Sequence, residues 1–135
     1  MTTLQNILFY AHSGVRWLVV LATVVALVAV IIGLAQKRPY EAFARRFMLI
    51  FSSLVGVQWA LGILVMLVLG VPEGTTYRWE HAVIMTLALV AAHMYLPAKR
   101  QPDSRRYVIS IVVILVTLVL VFVGVARLPG QSLLG

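Results

Sequence analysis

Apolar residues recur along this chain in four long runs that are separated by short polar segments. The runs cover approximately residues 9–35, 47–69, 78–96 and 107–126. A helix needs about 20 mostly apolar residues to cross a bilayer, and each run approaches or exceeds that length. Little sequence remains for a folded domain outside the membrane. The pattern therefore predicts an all-α integral membrane protein, in which residues 1–135 form a single transmembrane four-helix domain.

Positive charge is concentrated in two of the segments that join these runs. Eight of the 11 basic residues lie there: Lys37, Arg38, Arg45, Arg46, Lys99, Arg100, Arg105 and Arg106. The segment 70–76, between the second and third runs, contains no Lys or Arg. Short basic loops usually stay in the cytoplasm. We therefore expect an up-down-up-down bundle in the bacterial inner (cytoplasmic) membrane, with both termini outside and both basic loops in the cytoplasm.

Composition narrows the possible partners. The net charge of +7 would suggest nucleic acid in a soluble chain, but here 62% of the residues are hydrophobic and only 11% are charged. Basic loops beside a membrane face anionic lipid headgroups, so we expect bound lipid and no nucleic acid. The chain has no cysteine, which excludes disulfides, iron–sulfur clusters and c-type haem attachment.

Small residues predict where the helices touch, because apolar burial does not drive association in lipid. Three of the runs carry such residues at helical spacing. They are Ala22, Ala26, Ala29 and Gly33 in the first helix, Ser52, Gly56 and Ala60 in the second, and Ser110, Thr117 and Gly124 in the fourth.

Ionisable residues are few near the membrane interior, and each is a candidate for function. His12 and Arg16 share one face of the first helix, and Glu80 and His81 open the third. These two helices run in the same direction, so we expect the side chains to meet in one layer near the outer surface. Two histidines from different helices can hold the iron of a b-type haem, with Arg16 near a propionate. His12 and His81 are thus candidate haem ligands, and with Arg16 they are candidate haem or quinone contacts.

The space beside such a haem is also predicted from the third helix. His81, Met85, Ala88 and Ala92 share a face there, and the two alanines would leave room for a planar ring. His93 is the only histidine left for the inner side, which excludes a second bis-histidine haem. We expect His93 to be a hydrogen-bonded packing residue.

A structural interpretation of the same residues stays open. His, Arg, Trp and Tyr at a helix end are typical of an interfacial belt, and Arg16 paired with Glu80 would be a simple interhelical ion pair. Gln58, near the middle of the second helix, is expected to bond to a neighbouring helix. Its functional alternative is a hydrogen bond to a quinone carbonyl or a haem edge.

At His12-Ser-Gly-Val-Arg-Trp17, and again at Trp79-Glu-His81, the chain resembles a group of small bacterial four-helix membrane proteins labelled cytochrome-b-like. The resemblance implies a place in membrane electron transfer, with His12 and His81 as the matched positions. In size and layout the chain is also similar to accessory subunits of quinol-oxidising assemblies, such as alternative complex III or photosynthetic complexes.

Three functions remain from these patterns. The first is an accessory subunit that joins a larger respiratory or photosynthetic membrane complex through its transmembrane helices. The second is an electron carrier with one b haem held by His12 and His81. The third is a quinone-binding module, whose outer cluster is Tyr10, His12, Arg16, Glu80 and His81. An independent enzyme is not expected, because no nucleophile–base or metal constellation is visible.

Overall fold

The computed structural model describes residues 1–129, and these residues form helices and no strand. The α-helices are α1 (Thr3–Ala35), α2 (Tyr40–Phe43), α3 (Arg45–Leu69), α4 (Tyr77–Ala92) and α5 (Asp103–Ala126), and a 3-10 helix covers Leu96–Ala98. Four segments are long and apolar enough to cross a membrane: α1, α3, α5 and Tyr77–Ala98, which joins α4 to the 3-10 helix. The predicted all-α chain with four membrane-length helices is confirmed, and it indicates a multi-pass membrane protein.

Polar residues extend two helices beyond the N-terminal ends of their apolar runs. The first helix begins at Thr3 rather than near residue 9, because Thr2 and Gln5 form a capping box. The Gln5 amide donates to Thr2 Oγ1 at 3.2 Å, and the Thr2 amide donates to Gln5 Oε1 at 2.8 Å. Helix α5 begins directly after Pro102 rather than at Tyr107. The first turns of both helices contain polar residues, so a search for apolar runs does not find them.

Helix α4 ends earlier than its apolar run, at Ala92 instead of Leu96. Pro97 has no backbone N–H and so cannot bond to the His93 carbonyl as an α-helix requires. The chain forms a 3-10 turn instead, in which the Leu96 amide donates to the His93 carbonyl at 3.1 Å. The His93 ring donates from Nδ1 to the Leu89 carbonyl at 2.8 Å, which confirms it as a hydrogen-bonded packing residue.

The four long helices form a ring of neighbours. Helix α1 packs against α3 and α5, and α4 packs against the same two helices, so α1 and α4 occupy opposite corners. We call the end with the two basic segments the inner end, and the opposite end the outer end. At the outer end, Gln5 Nε2 donates to the Val68 carbonyl at 3.3 Å, which ties the start of α1 to the end of α3.

The predicted small-residue seams are confirmed in α1 and α5 and only partly in α3. In α1, Ala26, Ala29 and Gly33 are buried and Ala22 is half-buried; in α5, Ser110, Thr117 and Gly124 are buried. In α3, however, Ser52 is buried, Gly56 is half-buried and Ala60 is exposed. Longer side chains join α3 to α4 nearer the outer end, where Trp59 Nε1 donates to Thr86 Oγ1 at 2.9 Å. The prediction of contact at Ala60 is therefore wrong.

The apolar core lies towards the inner end. Its largest fully buried members include Tyr40, Tyr107, Phe51 and Met48. Tyr107 fills the seam of α1 so closely that a Cβ on Gly33 would lie 2.5 Å from its hydroxyl oxygen. The outer half holds fewer large buried side chains, and the candidate polar residues lie there.

Candidate functional site

Helices α1 and α3 hold His12 and Gln58 together. Gln58 Nε2 donates to the His12 carbonyl at 2.9 Å, so the expected bond from Gln58 to a neighbouring helix is confirmed. Gly62 lies one helical turn beyond Gln58, and the His12 ring packs against it. A Cβ at Gly62 would lie 3.0 Å from His12 Cε1. The absence of a side chain at Gly62 therefore lets the imidazole lie directly on the backbone of α3.

His81 and Arg16 lie near the His12 ring. Both are close enough to His12 for their charges to act on its ring. The structure thus brings the three predicted site residues into one neighbourhood and adds Gln58. We call His12, Arg16, Gln58 and His81 the outer polar layer.

Three side-chain atoms of this layer are buried without a hydrogen-bond partner: His12 Nδ1, Arg16 Nε and Gln58 Oε1. Leaving such an atom unpaired costs about 1–3 kcal/mol. Elsewhere in residues 1–129 only two other side-chain atoms share this condition, Arg106 Nε and Tyr107 Oη. The outer polar layer therefore has unused hydrogen-bonding capacity inside the bundle.

His81 is oriented by α5, a contact that the sequence analysis did not predict. Its Nδ1 donates to the Gly124 carbonyl of α5 at 2.8 Å. Because Nδ1 holds the proton, Nε2 of the neutral ring keeps a free lone pair. Histidines that bind metals are usually oriented by a bond of this kind. The donor chemistry of His81 therefore fits an axial haem ligand.

The packing beside His81 does not match the predicted haem slot. Ala88 is 1% exposed and Ala92 is 0% exposed, so both lie inside the packed bundle. The Met85 methyl group occupies the place where a Cβ on Gly124 would point. The expectation that the two alanines leave room beside a planar ring is therefore wrong. Residues 1–129 also contain no group of three or more His, Cys, Asp or Glu placed to hold a metal ion.

Two members of the predicted outer cluster lie apart from this layer. The Glu80 carboxylate has Arg127 as its partner, with Oε2 4.0 Å from Nη1, so the predicted Arg16–Glu80 ion pair is replaced. The Arg16 guanidinium lies over the Trp17 ring instead, 5.1 Å from its centroid. Tyr10 is 68% exposed and packs edge-on against Phe9. Spacing along the helices did not specify the rotation of these residues about the helix axes.

A shallow groove lies on the surface between α4 and the end of α5. It has a volume of about 410 Å³, and its lining residues are Trp79, Glu80, Val83, Ile84 and Arg127. The groove opens outward and is separate from the unpaired atoms of the outer polar layer.

A second polar cluster at the inner end was missed by sequence reasoning. Arg106 is only 7% exposed; its Nη2 lies 2.8 Å from Glu41 Oε1, and its guanidinium lies 4.1 Å above the Tyr40 ring. Tyr40 shares a 2.6 Å hydrogen bond with Ser110. We call Tyr40, Glu41, Arg106, Tyr107 and Ser110 the inner polar cluster. The sequence feature that could have indicated this cluster was Glu41, a lone acidic residue in a basic segment.

Charge and burial act in opposite directions on two groups of the inner polar cluster. The hydrogen bond from Arg106 lowers the pKa of the Glu41 carboxyl, while burial raises the pKa of the Tyr40 phenol. Glu41 is therefore ionised and Tyr40 protonated at neutral pH, so Glu41 carries the negative charge that pairs with Arg106.

Comparisons with known proteins add no relative. No family model, no curated protein and no solved structure matches this chain. Function must therefore be inferred from the residues and the geometry of the chain itself.

Proposed function

We propose that the chain is an accessory transmembrane subunit of a quinol-linked respiratory or photosynthetic electron-transfer complex. The supporting observation is the outward direction of large apolar side chains on every membrane-length helix. Leu21, Leu67, Val83 and Val119, one on each helix, are 60%, 71%, 58% and 62% exposed. Such faces need lipid or a neighbouring helix to cover them. The cytochrome-b-like motifs supply the link to electron transfer.

We further propose an up-down-up-down topology in the bacterial inner membrane, with both termini outside. The bond between Arg106 and Glu41 supports it, because it joins the two basic segments at one end of the bundle. Bonds from Gln5 to Val68 and from His81 to Gly124 join helix starts to helix ends at the other end. The basic end would face the cytoplasm and anionic lipid.

The accessory role is tested by purification from the native membrane. A tagged full-length chain, extracted in mild detergent, should copurify in fixed proportion with a larger complex that contains haem or quinone. If the chain elutes alone while the membrane complexes in the same extract stay intact, the accessory role is rejected.

A single-haem electron carrier is a second candidate, and the bond from His81 to Gly124 favours it. His12 and His81 would supply the two imidazole nitrogens, and Arg16 a positive charge for a propionate. The haem would supply one-electron redox chemistry.

This candidate is tested by a reduced-minus-oxidised absorption spectrum of the purified chain. If it is correct, a b-type band should appear at about one haem per chain. The His12→Ala, His81→Ala double variant should lose this band. The matched control is His93→Ala, which should keep it because His93 bonds to its own helix. A flat spectrum for the unmodified chain, or full haem in the double variant, would contradict this candidate.

A further inference from the structure

The surface groove between α4 and the end of α5 holds two opposite charges side by side. Glu80 Oε2 lies 4.0 Å from Arg127 Nη1, which is longer than a hydrogen bond, and both side chains are more than half exposed. An exposed ion pair of this kind contributes little to stability, so a ligand can replace it readily. Both residues line the same space of about 410 Å³, so one ligand can contact both charges.

The rest of the groove is apolar and continues along α4. Val83 and Ile84 line it one helical turn further from the outer end than Glu80. Val83, Leu87 and Val90 then share one face of α4 and are 58%, 53% and 56% exposed. Val90 lies ten residues beyond Glu80, or about 15 Å along the helix, which is about half the thickness of the hydrocarbon core. This apolar face therefore has the length of one lipid leaflet.

The charges lie at the depth where lipid headgroups are found. Trp79, the third residue of α4, lines the groove beside Glu80 and is 55% exposed. Tryptophan is enriched at the boundary between headgroups and acyl chains. Arg127 directly follows the last residue of α5, so it lies at the same end of the bundle. The groove thus offers charged groups at the headgroup level and an apolar face below them.

A phospholipid headgroup with both charges complements this arrangement. Arginine binds phosphate through paired, charge-assisted hydrogen bonds, and a carboxylate accepts hydrogen bonds from a primary ammonium group. Phosphatidylethanolamine carries a phosphate and a primary ammonium on one short linker. The quaternary ammonium of phosphatidylcholine has no N–H to donate to Glu80. Phosphatidylglycerol has no ammonium, so its negative phosphate would face the Glu80 carboxylate without compensation.

We propose that this groove selectively binds one phosphatidylethanolamine molecule, with its phosphate on Arg127, its ammonium on Glu80 and an acyl chain along Val83 and Leu87. The inference goes beyond the accessory role. It requires that α4 and α5 span a membrane, but it requires neither a partner complex nor a haem.

The expected selectivity is modest, because the site is open to the surface. One exposed ion pair with a hydrogen bond corresponds to about a fivefold change in affinity. We therefore expect the groove to prefer phosphatidylethanolamine about fivefold over phosphatidylcholine and over phosphatidylglycerol.

The test measures lipid contact locally, because anionic lipids also gather at the basic inner end. The chain has no cysteine, so a Leu87→Cys variant can carry a single bimane fluorophore on the apolar face below the groove. The full chain is placed in phosphatidylcholine vesicles that contain one of the three lipids with brominated acyl chains, which quench bimane on contact. Brominated phosphatidylethanolamine should quench most strongly, with an apparent affinity about fivefold above that of the other two lipids.

A matched probe on α5 separates the groove from the bilayer as a whole. Val119 is 62% exposed and lies eight residues before Arg127, while Leu87 lies seven residues after Glu80, so the two probes have similar depths. Bimane at Val119→Cys should be quenched equally by the three lipids. Equal quenching at Leu87→Cys, or the same lipid preference at both probes, would overturn the proposal.

The role of Glu80 is tested by adding Glu80→Gln to the Leu87→Cys chain. Arg127 is then the only charge in the groove, so phosphatidylglycerol should quench more strongly than phosphatidylethanolamine. The control Glu73→Gln removes an exposed carboxyl that does not line the groove, and it should keep the original preference. An unchanged preference in Glu80→Gln would also overturn the proposal. The comparison of the three lipids at Leu87→Cys retains both charges, so it does not depend on whether Glu80→Gln folds.

Discussion

At the scale of single residues, the inner polar cluster contains two buried tyrosines whose hydroxyls differ in one respect. Tyr40 and Tyr107 are each 1% exposed, and their rings pack edge to face 5.2 Å apart. The Tyr40 hydroxyl is bonded to Ser110, whereas the Tyr107 hydroxyl is buried without a partner. Since an unpaired buried hydroxyl opposes folding, the same chemical change should have opposite effects at the two positions.

We expect Tyr40→Phe to destabilise the chain by about 1–3 kcal/mol, because it breaks the bond and leaves Ser110 unpaired. Tyr107→Phe should be neutral or stabilise it by about 1 kcal/mol, because it removes an unsatisfied group. Unfolding by a denaturing detergent, followed by circular dichroism, measures both changes. An equal loss at both positions would show that the Tyr107 hydroxyl has a partner after all.

The site was partly predictable at this scale. His12, Arg16 and His81 were placed in one layer from helix spacing and direction alone. The partners of Glu80 and His81 were not, because Arg127 and Gly124 reach them through the rotation of α4 and α5 about their axes. One sequence does not specify that rotation when apolar residues surround the helix on all sides, as they do in α5.

At the scale of elements, the short helix α2 is held to α5 by one charged contact. Glu41 lies in the first turn of α2 and bonds to Arg106 through Oε1. Its other oxygen, Oε2, lies 3.7 Å from Arg45 Nε. Arg106 lowers the pKa of Glu41 below its ordinary value of 4.5. A carboxyl of this kind stabilises the folded state above its unfolded pKa, and that contribution disappears as the pH falls through the lowered folded value.

We therefore expect Glu41→Gln to be less stable than the unmodified chain at pH 7, with the difference closing as the pH falls below 4.5. Because Glu41 is exposed, salt should shrink the difference. Thermal unfolding in detergent between neutral and acidic pH measures it. Glu73→Gln removes an exposed carboxyl at the outer end and should show no comparable difference. A Glu41→Gln deficit that persists unchanged at low pH would contradict the contact.

At the scale of the whole molecule, the orientation in the membrane can be tested with single introduced cysteines, since the chain has no cysteine of its own. Single cysteines at Glu73→Cys and Gln101→Cys mark the outer and inner ends. In intact cells a membrane-impermeant maleimide should label the first and spare the second, because the basic loops are expected inside. Inside-out vesicles should give the opposite result. Labelling of Gln101→Cys in intact cells would invert the proposed topology.

The sequence by itself determined the number of membrane-length helices and their approximate limits. These follow from hydrophobic length and a fixed rise per residue, which are local properties. It also located the seams of α1 and α5, because a small residue has the same steric consequence wherever its helix packs.

Only the tertiary structure decided which side chains meet. It paired Glu80 with Arg127, bonded His81 to Gly124, packed Ala88 inside the bundle and left the side-chain carbonyl of Gln58 unpaired. The physical reason is that such contacts depend on the rotation of each helix and on the choice of its neighbours. Both are set by the packing of all four long helices together, and no single apolar run contains that information.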